Sequence, residues 1–265
     1  MPIFEKLRRI KARIDLWSLA KTNPEMSAAI LDAMAGRITE AERGWIEQIE
    51  ELHRRMSAST QELEITDYGV RAEDPERMEE EISRGRIVRR TIGQICSLIA
   101  RSDYTRLLLF RLARELRPQI CIELGASLGI STCYIGAALT LNGRGRVITL
   151  EGADSIASVA EQNFTTLGLN NVEIIRGRFQ DTLPEVFSAN PRVDYVYIDG
   201  DHGEAATLKY FNLFLPSLSP TGVIIFDDIR WSAGMTRAWN SIRGHKAVGT
   251  AIDLGAIGLI SMSGL

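Results

Sequence analysis

Ile120-Cys-Ile-Glu-Leu-Gly-Ala-Ser-Leu-Gly-Ile-Ser-Thr132 joins a short apolar strand to an acidic residue and a glycine turn. Ile120, Cys121 and Ile122 have the character of a strand buried on both faces of a parallel sheet. Gly125 and Gly129 allow the backbone to turn tightly and approach a ligand where a Cβ would intrude. Ser131 and Thr132 fall in the first turn of the helix that follows, whose free N–H groups face the same crevice. A second strand, Arg146 to Leu150, ends in Glu151, 26 residues after Gly125. A strand-end carboxylate at that place is suited to both hydroxyls of a ribose. The pattern points to a nucleoside-bearing cofactor.

The glycine spacing narrows the choice of cofactor. A dinucleotide turn reads G-x-G-x-x-G, whereas this chain has Gly125-x-x-x-Gly129 preceded by Glu123, so the pyrophosphate fingerprint is absent. An acidic residue before the turn suits a cofactor with ammonium and sulfonium centres better than one with two phosphates.

From Thr105 onward the chain alternates: helix to Leu116, strand 119–124, helix 130–140, strand 146–150, helix 154–167 and strand 172–176. It continues with strand 193–198, helix 204–215, strand 222–226 and a helix around 232–242. Such alternation means a parallel sheet with helices on both faces. Two last apolar segments, Ala247 to Ile252 and Ile257 to Met262, are linked by a few residues including Gly255. That link permits a hairpin but no parallel crossover, so the sheet closes with an antiparallel C-terminal strand.

Before Ser102 the pattern reads as charged helices. Phe4, Leu7, Ile10, Ile14 and Trp17 recur at helical spacing, as do Ile30, Met34 and Ile38, with breaks at Pro24 and Pro75. The expected division is a helical extension over residues 1–100 and a cofactor-binding domain over 101–265. Lys6, Arg8, Arg9, Lys11 and Arg13 give the first helix a basic, solvated face.

Composition sets outer limits. With 265 residues, 45% hydrophobic and 25% charged, the chain can bury one substantial α/β core. A net charge of −3 does not advertise nucleic acid as a partner. Cys96, Cys121 and Cys133 are odd in number and sit in apolar surroundings, as in a reduced, cytoplasmic protein. No run is long enough to span a bilayer, and the N-terminus lacks a signal-peptide core.

A second chemical cluster lies at strand ends. The strand Val193 to Ile198 runs into Asp199-Gly-Asp-His202, and Gly222 to Phe226 runs into Asp227-Asp228. In an open parallel sheet ligands gather beyond the carboxyl ends of the strands, so these acids belong at the cofactor crevice. Asp199, Asp227 and Asp228 are candidate oxygen ligands for Mg²⁺ or another hard cation. Such an ion would lower the pKa of a substrate hydroxyl. His202 is a candidate base for that proton, with Asp199 beside it.

Glu123 to Gly129 resembles the first motif of class I S-adenosylmethionine-dependent methyltransferases, and the antiparallel C-terminal strand resembles their seven-stranded, Rossmann-like fold. Further stretches in order, Asp67-Tyr68-Gly69, Tyr104 to Phe110, Glu151-Gly152, Gly177 to Phe179 with Asp181 to Pro184, Ile198 to His202 and Phe226 to Ser232, look like a bacterial group of O-methyltransferases. The resemblance implies that Gly125 and Gly129 line the methionine part of the cofactor and Glu151 the ribose, with Glu123, Ser127, Ser131 and Thr132 also among the cofactor-binding residues. Asp199 borders the same site, and Arg178 and Phe179 adjoin the adenine. The acidic trio resembles the metal site of catechol-type O-methyltransferases, where an Asp-Asn pair usually stands in place of Asp227-Asp228. Those enzymes carry a lysine at the offset occupied here by His202. Tyr68 and Trp231 are candidate walls for an aromatic acceptor.

The expected activity is transfer of a methyl group to a small-molecule hydroxyl, with the N-terminal extension covering the pocket, forming a homodimer contact, or both. Transfer to nitrogen would keep the cofactor loop without needing the acids. A non-catalytic cofactor-binding homologue would carry identical motifs. A nicotinamide-dependent oxidoreductase would require the phosphate loop that Gly125 does not offer.

Overall fold

A computed structural model of the chain describes residues 19–68, 84–98 and 103–262. The stripe from Phe4 to Trp17, its basic face, Gly69, Pro75 and the proposed boundary at Ser102 lie outside the described residues.

Five strands run parallel: β3 (Ile120–Leu124), β4 (Arg146–Glu151), β5 (Val172–Arg176), β6 (Val193–Ile198) and β7 (Leu218–Phe226). Two more, β8 (Val248–Asp253) and β9 (Gly258–Met262), form the expected hairpin, and β9 docks antiparallel on β7. The order across the sheet is β5-β4-β3-β6-β7-β9-β8. The chain therefore winds outward from β3 in one direction, then returns to lay β6 on its other side. A crevice opens at that reversal, beyond the carboxyl ends of β3 and β6.

Side-chain alternation divides the sheet into two apolar faces. Cys121, Tyr195, Tyr197, Val223 and Ile225 pack on one face with α4 (Asp103–Leu116), α5 (Ile130–Asn142) and α6 (Asp154–Thr166). Ile122, Leu124, Val196, Ile198, Ile224 and Phe226 pack on the other with α7 (Phe179–Ala189), α8 (Glu204–Phe214) and α9 (Ala233–Arg243). Helix α7 has no counterpart in the sequence reading, because Pro184 lies within it and reads as a breaker.

The N-terminal elements join the first of these two faces. Helix α1 (Pro24–Met34) starts on Asn23, whose Oδ1 accepts from Met26 N at 2.9 Å, with Pro24 in its first turn. It ends at Met34, and Gly36 takes a positive φ of 64°, so Ile38 lies beyond the helix rather than extending its stripe. Helix α2 (Glu40–Ser57) and the short α3 (Ile92–Leu98) follow. Met26, Ile30, Ile49 and Leu52 bury themselves in the same cluster as Leu108, Leu109 and Cys133.

An ion pair ties this layer down. Arg111 Nη1 on α4 donates to Glu42 Oε1 on α2 at 2.8 Å, and both residues are buried. Glu42 Oε2 also accepts from Thr39 N at 2.7 Å, closing the first turn of α2. Burial pushes the Glu42 carboxyl up, but the Thr39 hydrogen bonds and the charge of Arg111 outweigh it and hold the group below its ordinary range.

The expectation of helices alone before residue 102 is corrected by a two-stranded antiparallel sheet, β1 (Glu62–Asp67) and β2 (Arg86–Thr91). Leu63 and Ile65 alternate with Glu62, Glu64 and Thr66, a period of two. This hairpin leans on the start of α6, where Ser155 Oγ donates to the Glu64 carbonyl at 2.7 Å.

Candidate active site

A cavity of about 870 Å³ occupies the crevice at the carboxyl edge of the sheet. The turn after β3, the ends of β4 and β6, the start of α7 and the turn after β7 form its lower walls, and the N-terminal elements cover it.

The turn after β3 is built on backbone contacts. Gly125 has φ +98°, and a Cβ there would stand 2.3 Å from the Asp199 carbonyl oxygen. Gly129 has φ +83° and opens α5, where a Cβ would stand 2.5 Å from the Phe164 ring. Both positions demand glycine, but the close neighbours are β6 and α6, where the sequence reading had expected a ligand. Ser127, at φ +46°, turns its N–H onto Glu151 Oε2 at 2.8 Å. Ala153 N donates to the other oxygen at 2.9 Å, so two amides fix the strand-end carboxylate at the cavity wall. Burial pushes the Glu151 carboxyl above its ordinary value, against the pull of these amides.

Gly125, Ser127, Ser131, Glu151, Arg178 and Phe179 all line the cavity. Glu123, Gly129 and Thr132 do not. Glu123 is fully buried, and its Oε2 accepts from the hydroxyls of Thr132 and, at 2.6 Å, Thr149. It braces β3 against β4 and α5 beneath the turn. Arg178 Nε is held by Asp181 Oδ2 at 2.7 Å. The Phe179 ring meets Tyr210 edge-on with centroids 5.9 Å apart.

The acidic edge is only partly as expected. Asp199, Asp228 and His202 line the cavity together. His202 Nε2 stands 3.6 Å from Asp199 Oδ1 and 3.9 Å from Asp228 Oδ2, so the imidazole lies between two carboxylates. Asp228 reaches the wall through a left-handed backbone, φ +51°, which a short polar residue tolerates. Asp227 is turned away and 1% exposed, its Oδ2 accepting from the Tyr197 hydroxyl at 2.7 Å and its Oδ1 from Asp228 N at 2.7 Å. The expected convergence of Asp199, Asp227 and Asp228 on one ion does not occur. No group of three or more His, Cys, Asp or Glu among the described residues is arranged to hold a metal. The residues as placed do not fit a three-carboxylate magnesium centre.

Asp201 also lines the cavity. Its Oδ2 accepts from Tyr210 at 3.3 Å, and burial raises its carboxyl above the usual range. Tyr68 and Trp231 both reach the cavity, and Trp231 lies 6.0 Å from His202 between ring centroids. The covering wall also brings Asp67 and Arg106, which fall in the stretches Asp67 to Gly69 and Tyr104 to Phe110, and His53 and Arg90, which no motif signals.

Comparison with known proteins agrees with this geometry. Residues 122–229 match the model of a family described as a methyltransferase domain. A catechol O-methyltransferase of Niastella koreensis is 34% identical over 123 residues, 43% of this chain and 53% of that protein. The chain thus spans about half the length of this curated relative. An O-methyltransferase from Bacillus cereus, solved with S-adenosylhomocysteine, is 25% identical with a TM-score of 0.52 over 61% of this chain and 82% of its own. TomG of Streptomyces achromogenes, an O-methyltransferase involved in tomaymycin synthesis and solved with S-adenosylmethionine, is 25% identical with a TM-score of 0.54, over 63% and 82%. Over residues 122–229 the chain is therefore similar to methyltransferase domains. No described helix is long and apolar enough to cross a membrane.

Proposed function

We propose that the protein transfers a methyl group from S-adenosylmethionine to a hydroxyl oxygen of a small molecule. The observation that carries this reading is the imidazole of His202, set between Asp199 and Asp228 on the wall of the cavity that Glu151 and the β3 turn also line. When bound, the cofactor supplies an electrophilic methyl on a sulfonium.

The chain supplies the rest. Glu151, fixed by Ser127 N and Ala153 N, takes the ribose hydroxyls. Gly125, Ser127 and Ser131 line the methionine arm, and Arg178 and Phe179 adjoin the base. Asp199 and Asp228 give the edge a negative potential that favours the sulfonium. His202 accepts the proton of the acceptor hydroxyl at Nε2, and the two carboxylates stabilise the imidazolium that results. Tyr68 and Trp231 wall the acceptor, and closure by the N-terminal elements excludes water and fixes the approach of the oxygen. No step is routed through a metal ion, because the acidic trio does not converge; Mg²⁺ assistance is a separate proposition with its own measurement.

The remaining readings follow the same proposal. Residues 1–100 act as a cap on the domain of 101–265, and the exposed Leu31 and Met34 of α1 support a homodimer through the N-terminal helices. The buried, free thiols of Cys96, Cys121 and Cys133 accord with a reducing cytoplasm.

Calorimetric titration of the chelator-treated protein with S-adenosylmethionine, S-adenosylhomocysteine and NAD⁺ tests the proposal. Binding of the two sulfur nucleosides and not NAD⁺ is expected. Binding of NAD⁺ alone would overturn it.

A further inference from the structure

The two walls of the cavity carry opposite charge. On the sheet side Glu151, Asp199, Asp201, Glu204 and Asp228 outnumber Arg178 and Lys209, whereas on the covering side Arg90 from β2 and Arg106 from α4 outnumber Asp67. Arg90 lies opposite Leu63 in the hairpin register. It therefore shares a face with Ile65 and Asp67, the two buried positions of β1, which line the cavity as well. The Nε of Arg90 is shielded from solvent and donates to nothing among the described residues.

Arg106 is fixed from behind. Its Nη1 stands 3.1 Å from Glu50 Oε1 and 3.2 Å from Nδ1 of His53. Glu50 in turn accepts from the Tyr134 hydroxyl on α5. The guanidinium is thereby anchored to α2 and α5 while it borders the cavity. Asp67 does not supply a counter-ion to this wall alone, since Arg86 already stands 3.5 Å from it.

A shielded guanidinium N–H without an acceptor is costly, and a ligand oxygen placed against it removes that cost. We infer that Arg90 and Arg106 form an anion subsite and that its ligand is a carboxylate. The planar guanidinium fork matches a planar pair of oxygens. A single negative charge also suits a cavity whose other wall is acidic, where a doubly charged phosphate would be repelled.

The inference rests on the methyltransferase reading for its two sources of carboxylate. One is the α-carboxylate of the cofactor's methionine arm, because Ser127, Ile130 and Ser131 line the cavity in the turn assigned to that arm. The other is an acid group on the acceptor, held beneath the same covering wall.

Calorimetry with two matched pairs of probes separates the sources. S-adenosylhomocysteine is compared with 5′-methylthioadenosine, which lacks the amino-acid carboxylate, and 3,4-dihydroxybenzoate with 3,4-dihydroxybenzamide. Each is titrated into the wild type, Arg90→Gln, Arg90→Lys and Arg106→Gln, with thermal midpoints recorded to identify any variant that fails to fold. If the cofactor supplies the carboxylate, S-adenosylhomocysteine binds about tenfold or more tighter than methylthioadenosine, and Arg90→Gln removes the difference. If the acceptor supplies it, the variant leaves S-adenosylhomocysteine unchanged and abolishes a roughly tenfold preference for the acid over the amide. Arg90→Lys restores part of either preference, as a charge without the fork.

The inference is overturned if acid and amide bind alike, or neither binds, while both glutamine variants take S-adenosylhomocysteine as the wild type does. A wild type that binds neither nucleoside would instead overturn the methyltransferase reading. The acid-amide comparison then still decides the subsite.

Discussion

The Tyr197 hydroxyl donates to Oδ2 of Asp227 across 2.7 Å and lies 3.2 Å from Oδ2 of Asp199. A phenol has one proton to give, and the shorter contact assigns it to Asp227. One acid of the expected metal trio is thereby turned inward, while the other two face the cavity with His202. Tyr197→Phe removes the donor that turns Asp227 Oδ2 inward, leaving the Asp228 amide on Oδ1. Mg²⁺ is then expected to bind the variant roughly tenfold more tightly than the wild type, the worth of one hydrogen bond to a charged group. Titration with Mg²⁺ after chelator treatment reads this directly. Tight and equal binding by both proteins would show that Tyr197 is no obstacle to the ion.

His202 has a defined place between two carboxylates, and its removal separates binding from chemistry. His202→Gln is expected to lower methyl transfer about 10²- to 10⁴-fold, the usual worth of a positioned acid or base. S-adenosylhomocysteine affinity should stay within about twofold, because Glu151 and the β3 turn are untouched. The loss should fall on kcat rather than KM. A variant that keeps the wild-type rate would move the base elsewhere on the cavity wall.

With Glu151 on the ribose, as proposed, cofactor binding is expected to depend on pH. Burial raises its carboxyl above the ordinary 4.5, against the amides of Ala153, Ser127 and Gly152. Ribose hydroxyls that donate to the carboxylate favour its ionised form, so binding lowers the pKa and releases a proton. Affinity should therefore climb as pH rises through the raised value and level off above it. Glu151→Gln should bind S-adenosylhomocysteine about tenfold more weakly and without that slope. A wild-type affinity that does not change between about pH 4 and 8 would separate this carboxylate from the ribose.

Much of this architecture is legible because buried parallel strands leave simple signs. Ile120 to Leu124 and Val193 to Ile198 are apolar runs that stop at glycine or aspartate, and their register follows from alternation of the same residues. Side-chain direction is less legible. Asp227 and Asp228 are neighbours in sequence, yet one faces Tyr197 and the other the cavity, since the left-handed turn at Asp228 redirects the chain. Glu123 reads as a cofactor residue from its place before the turn, but hydroxyls of Thr132 and Thr149 sit behind it and claim its oxygen. The covering wall is least legible, because Arg90 and Arg106 reach the cavity from elements far away in sequence, and no local spacing records that meeting.

The buried brace makes its own prediction about stability. Burial is the largest influence on Glu123 and raises its carboxyl above 4.5, the hydroxyls of Ser131, Thr132 and Thr149 oppose the rise, and the charge of Glu151 adds to it. A carboxyl whose folded pKa exceeds its unfolded pKa holds its proton longer in the folded state. As pH climbs from near the unfolded value to the folded one, the unfolded chain ionises first and stability falls. Above that window the penalty is constant. Glutamine cannot ionise, so Glu123→Gln should show no loss from this position. Its stability relative to the wild type should increase through the window and then level off. Glu151 and Asp201 are also raised by burial and titrate in both proteins, so the difference between the two reports Glu123 together with its coupling to Glu151. Denaturant midpoints measured from about pH 4 to 8 give that difference. Curves that stay parallel throughout would mean that Glu123 ionises as readily in the core as in the unfolded chain, and that its hydroxyl partners fully offset its burial.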